Sequence, residues 1–180
     1  MTAPDRQRLK TAEFYSLYPE TNTPVELIEG EVIVSPSAVP RHQEVVGNIY
    51  AFLRRVSEPG ARVFVAPLDV RLDDGNSVQP DVFWIAPGRT AIIRDKRIEG
   101  MPDLMVEVVS SGSVRMDRVI KFRLCERFGA REYWIVDPEG VIEVFALRET
   151  KFERVSVYET GETFQSPVLG QPVPLTDFFA

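Results

Sequence analysis

Apolar residues recur at helical spacing through residues 41–57. Val45, Val46, Ile49, Phe52, Leu53 and Val56 form one stripe there, and Pro59-Gly60 ends it. A shorter helix is predicted over "TAEFYSLYP" (11–19), with Thr11 as its cap and Pro19 just past its end. "PVELIEGEVIVSP" (24–36) alternates like two short strands around Glu29-Gly30, where glycine can take the positive φ of a tight hairpin. Strands are predicted at about 61–65, 68–72 and 81–86, with "DDGNS" (73–77) as a turn, and 87–100 reads as polar loop. A strand at 103–109, apolar but for Asp103 and Glu107, follows. After a Ser/Gly loop at 110–113, a second helix runs from about 114 to 128, with Gly129 at its C-terminal glycine position. "REYWIVDPEGVIEVFAL" (131–147) gives strand, turn and strand, and "FERVSVYE" (152–159) one more.

This order predicts an α/β fold, a mixed sheet flanked by helices, with a strand–helix–strand crossover from 103–109 to 131–136. Strands and helices do not alternate strictly, and neither GxGxxG nor GxxxxGK[ST] occurs, which argues against a nucleotide-binding fold. Residues 1–180 are read as one domain, with the N-terminal helix and hairpin (about 11–36) packed on its core. At 44% hydrophobic and 27% charged residues, the chain has the composition of a globular protein. It has no apolar run long enough to span a bilayer and no signal-peptide pattern at its start, so no membrane association and a cytoplasmic location are expected. Single residues Cys125 and His42 exclude an internal disulfide, a multi-cysteine metal site and any site needing two histidines from one chain. The formal net charge of −6 predicts weak non-specific affinity for DNA unless basic residues gather on one face.

One feature of the strand 103–109 stands against its surroundings. Glu107 lies within "PDLMVEVVSSGS", flanked by Met105, Val106, Val108 and Val109. A lone carboxylate in such a run is costly unless it is protonated, paired or on a metal. Alternation places Asp103, Met105, Glu107 and Val109 on one side, with Asp103 at the solvated start of the strand. Asp81, in "QPDVFWIA", has the same character, because Pro80 holds Gln79 extended at the head of an apolar strand. If the two strands are neighbours, Asp81 and Glu107 converge, and a divalent cation with a preference for oxygen relieves their repulsion. In the following helix Lys121 shares a face with Asp117, Cys125 and Phe128, and could reach back to the strand end. The alternatives are an ion pair or backbone cap for Glu107, a turn bond for Asp81, and an i,i+4 pair with Asp117 for Lys121.

These residues resemble a known pattern. A "PD" heading one strand, a glutamate inside the next and a nearby lysine are similar to the PD-(D/E)XK nuclease superfamily. "ELIEGEVIVSPS", "RHQEVVGNI", "QPDVFWI", "MPDLMVEVVSSGS", "DRVIKF" and "GAREYWIVDPE" together resemble the Uma-two family of bacterial restriction endonuclease-like proteins, over about residues 11 to 177. The resemblance implies a restriction-endonuclease-like core with a metal site at one sheet edge. It implies Asp81 and Glu107 as ligands of Mg²⁺ or Mn²⁺, DNA as substrate, and cleavage that leaves a 5′-phosphate. The superfamily's lysine normally stands two residues after the second acid, where this chain has Val109, and Lys121 would take its place from the helix. His42 matches the family's histidine motif, and Glu44 is placed like a first-helix acid. Glu29 stands in the "ELIxGE" motif, either at the site or in the turn. Gln79 and Asp117 complete the accessory positions.

Two functions are compatible with this reading. One is a Mg²⁺-dependent endonuclease in which Asp81 and Glu107 hold the metal and Lys121 assists. The other is an inactive nuclease-fold scaffold that binds protein or nucleic acid, motivated by the net charge and by Val109. Phe164, Phe178 and Phe179 would then serve an oligomer interface. A homodimer, the commonest assembly, or a higher homo-oligomer is expected and is compatible with either function.

Overall fold

The computed structural model describes residues 8–19, 24–35, 37–110 and 116–180. Helix α1 (Thr11–Leu17) is followed by the hairpin β1 (Val25–Ile28) and β2 (Glu31–Val34), then helix α2 (Pro40–Val56). Next come β3 (Arg62–Val65), β4 (Val70–Asp73), β5 (Asn76–Val78) and β6 (Val82–Ile85). The stretch predicted as loop holds one 3₁₀ turn (Thr90–Ile92) and a two-residue strand, β7 (Ile98–Glu99). β8 (Leu104–Val108) leads to the second helical segment, which begins as a π-helical turn (Met116–Lys121) and continues as α3 (Phe122–Phe128). β9 (Glu132–Asp137), β10 (Val141–Arg148), β11 (Lys151–Glu159), β12 (Thr163–Ser166) and β13 (Gln171–Pro174) complete the order. Beyond Ser110, the predicted Ser/Gly loop lies outside the described residues.

The strands form two large sheets rather than one. Six strands run in the order β11-β10-β9-β8-β6-β3, five in the order β2-β1-β5-β4-β7, and β12-β13 is a separate hairpin. β8 and β9 are parallel, joined by the expected crossover through α3, whereas β6 and β8 are antiparallel. Alternation along β8 separates two cores. Leu104, Val106 and Val108 face α2, whose Val45, Val46, Ile49, Phe52 and Leu53 cover one side of the six-stranded sheet. Met105 and Val109 face the other way, against Val70, Val78 and Ile98 of the second sheet and Leu124 and Cys125 of α3. β1 repeats the device: Val25 and Leu27 pack on Phe14 of α1, while Ile28 joins the core between the sheets.

Three local expectations need correction. Thr11 is not the cap of α1. Lys10 precedes the helix, its N–H donating to Glu13 Oε2 at 2.9 Å, and the Thr11 hydroxyl accepts from Arg71 Nε at 3.0 Å instead. Asp103 is not solvated but fully buried, accepting from Ala86 N at 2.9 Å and pairing with Arg89 at 2.7 Å and Arg131 at 3.4 Å. Phe164 and Phe178 are not an oligomer surface, because they fill the core beneath α2, with Phe179 packed against it. The predicted αL glycine at position 129 is present, with φ of 80°. Among the described residues, no helix is long and apolar enough to cross a membrane.

Candidate functional site

Glu107 and Glu26 occupy equivalent places in two buried strands. Each lies on the face of its strand that looks into the space between the sheets, and each is only 2% exposed. Lys121, the last residue of the π-helical turn, enters the same space. Its Nζ lies 3.0 Å from Glu107 Oε1 and 3.0 Å from Glu26 Oε1, so two carboxylates share one ammonium. Extra backbone in a π turn redirects the side chains that follow it, and such turns recur at functional sites. Glu26 Oε1 also accepts from the backbone N–H of Gln79 at 2.7 Å. That bond ties the hairpin to the segment leading into β6.

Asp81 stands at the head of β6. The antiparallel register pairs Val82 with Val106, which sets Asp81 across from Glu107 one step further along. Its Oδ2 accepts from Val108 N at 2.8 Å and lies 3.3 Å from His42 Nε2, in the first turn of α2. The two strands are neighbours, the condition set for the acids to converge. The two acids nevertheless meet different partners, Asp81 toward α2 and Glu107 toward Lys121 and Glu26. Among the described residues, no group of three or more His, Cys, Asp or Glu side chains is gathered as a metal centre.

The accessory positions separate. His42 is buried beside Asp81. Gln79 contributes its backbone to Glu26, and its side-chain amide donates to Asp69 Oδ1 at 2.9 Å. Glu29 belongs to the turn: its φ is 51° and that of Gly30 is 81°, the two positive values of a type I′ hairpin. Its N–H donates to Asn76 Oδ1 at 2.9 Å. Glu44 is exposed on α2 and pairs with Arg41 at 3.4 Å. The Asp117 side chain lies outside the described residues.

Glu26 is the member of this group that sequence reading passes over. Its signal was available, since "VELI" buries a carboxylate in an apolar strand just as "MVEVV" does. Cys125, one turn beyond Lys121, adjoins the same cluster. Burial pushes its thiol well above the ordinary value, and the Glu107 carboxylate pushes it the same way. A thiol held protonated is a poor nucleophile, so Cys125 is packing rather than chemistry.

Residues 11–175 match the family Uma2, described as "Putative restriction endonuclease". The chain belongs to the Uma2 family. Its fold is also that of a crystal structure described as a "putative nuclease belonging to DUF820" from Anabaena variabilis. The two share 23% identity over 95% of this chain and 97% of that one, with a TM-score of 0.77. Among curated proteins, none matches this Uma2 chain. The mixed sheets and flanking helices are those of a restriction-endonuclease-like α/β core.

Proposed function

We propose that this Uma2 protein is a metal-dependent endonuclease that hydrolyses DNA phosphodiester bonds, with Asp81, Glu107 and Lys121 as its catalytic side chains. The observation that carries the reading is the register of β6 on β8, which sets Asp81 across from Glu107 while Lys121 reaches Glu107 at 3.0 Å. Two carboxylates are a hard oxygen donor set suited to Mg²⁺ or Mn²⁺. Mg²⁺ characteristically takes one or two carboxylates and fills its remaining positions with water and substrate phosphate. In this reading Asp81 and Glu107 would be the two protein ligands, with no third acid required. When bound, it would polarise the phosphate and acidify water.

The chain's own groups have separable tasks. The N–H of Val108 fixes Asp81 Oδ2, and His42 beside it can hold a proton at Nε2. The Lys121 ammonium can orient a water or offset charge that develops on the phosphate. In hydrolysis the water oxygen bonds to phosphorus and the P–O3′ bond breaks. The 3′ oxygen takes a proton, leaving a 5′-phosphate. We place the activity in the cytoplasm and on a homodimer, whose two sites would serve the two strands of a duplex.

Nicking of supercoiled plasmid tests this reading. Cleavage is expected with Mg²⁺ or Mn²⁺, to stop with chelator, and to fall by about 10²-fold or more in Asp81→Ala, Glu107→Ala and Lys121→Ala. Undiminished cleavage in all three folded variants overturns it. The second reading is a nuclease-fold scaffold that binds without cutting. Lys121 engaging both Glu26 and Glu107, and the net charge of −6, favour it. It predicts binding to a partner that survives loss of both acids.

A further inference from the structure

A cleft of about 390 Å³ opens between α1 and the segments that precede β4, β6 and β7. This volume is within the range of small-molecule sites. Its position is fixed by Gln79, which lines the cleft, donates its backbone N–H to Glu26 and stands two residues before Asp81. Gln79 therefore links the cleft to the proposed catalytic acids.

The lining has three chemical parts. Its aromatic wall is Tyr15 and Tyr18 over the buried Phe14, with Tyr18 37% exposed. Cationic groups come from exposed Lys96 and from Arg97, whose guanidinium stacks 3.8 Å from the centre of the Tyr15 ring. Acceptors come from Asp69 and Gln79. Gln79 Nε2 is committed to Asp69 Oδ1, whereas Gln79 Oε1 is buried and accepts no hydrogen bond among the described residues. A buried acceptor left unsatisfied is costly, and a donor on a ligand would remove that cost. Burial also pushes the Asp69 carboxyl above its ordinary value, a strain the same donor would relieve.

We propose that this cleft binds an unstacked nucleobase carrying an exocyclic amino group, as cytosine and adenine do and thymine does not, from the strand that presents its phosphate to Asp81 and Glu107. The Tyr18 ring stacks on the base. Gln79 Oε1 and Asp69 accept from its amino group, the contact by which carboxylates and amides read cytosine and adenine. Lys96 and Arg97 meet the flanking phosphate. The inference rests on the nuclease reading and adds base selectivity to that same site.

The test uses fluorescence anisotropy with five-nucleotide single strands, dC5, dA5 and dT5, on the wild-type chain. Binding of dC5 and dA5 is expected to be about tenfold tighter than that of dT5, the worth of a base-edge contact. Tyr18→Ala should weaken dC5 and dA5 by about tenfold through lost stacking, and Tyr18→Phe, which keeps the ring, should retain them. Gln79→Leu should weaken dC5 and dA5 enough to abolish the preference. Equal affinity for the three strands, no binding to any, or wild-type binding by folded Tyr18→Ala overturns the proposal. The outcome is separable from that for catalysis. Base preference without plasmid nicking upholds the cleft and sinks the nuclease, and nicking without base preference does the reverse.

Discussion

Lys121 holds its ammonium 3.0 Å from both Glu26 and Glu107, and all three side chains are almost wholly withdrawn from solvent. Removing the cation leaves the two buried carboxylates facing each other. Lys121→Met is therefore expected to destabilise the fold by about 3–5 kcal/mol, read from the urea midpoint at unchanged slope. Adding Glu26→Gln should restore part of that loss, because it removes one of the two charges. A midpoint unchanged in Lys121→Met would show that the cluster is not an ionised triad. Loss of plasmid nicking in this variant bears on catalysis only under conditions where it remains folded. A second residue acts through the backbone alone. Gly30 has a φ of 81°, and a Cβ there would stand 2.7 Å from Arg8 Cβ. Gly30→Ala should cost about 1–3 kcal/mol from the left-handed conformation and the clash, measured by thermal or urea unfolding.

At the scale of elements, the C-terminal hairpin β12-β13 is fastened to the six-stranded sheet by Glu132. This carboxyl is fully buried and accepts from Trp134 Nε1 at 2.6 Å, Ser166 Oγ at 2.7 Å and Val168 N at 2.9 Å. Burial nevertheless raises it above the ordinary glutamate value, with the three donors pulling the other way. A carboxyl raised in the folded state favours folding while it is protonated. Its contribution is complete below the unfolded value and is lost as pH climbs through the folded one. Wild type should accordingly lose stability relative to Glu132→Gln across that interval, as measured by paired melts from acid to neutral pH. A gap between the two that is flat with pH would contradict the assignment. The hairpin it fastens also carries Phe164 and Val173 into the core under α2, followed by Leu175 and Phe178. Aromatics near a chain end look available for a partner in sequence, yet here they close the chain's own core.

At the scale of the whole molecule, a net charge of −6 sets what binding to DNA can be. Without divalent cations, affinity for duplex should be weak and fall further with salt, since few phosphates can be neutralised. If Asp81 and Glu107 take up Mg²⁺, the local charge reverses where the phosphate must lie. Duplex affinity should then tighten by about tenfold or more in wild type and not in Asp81→Ala, measured by anisotropy at fixed ionic strength. Equal enhancement in both proteins would place the effect of Mg²⁺ elsewhere.

The helical stripe of α2, the Glu29-Gly30 turn, the crossover through α3 and the αL Gly129 are all legible in sequence. Each follows from local periodicity or from a backbone conformation that few residues adopt. The isolation of Glu107 and Asp81 in apolar strands is legible for the same reason, because one misplaced carboxylate disrupts a local pattern. Partners are not legible, since they lie far apart in the chain. Pairing of Glu26 with Lys121 depends on the hairpin joining a second sheet, and burial of Asp103 depends on Arg89 and Arg131 closing over it. Local order thus determined which strands carry acids, through alternation. Only the packing of the two sheets decided which cation each acid meets, because a buried charge takes its partner from whatever the tertiary fold brings within reach.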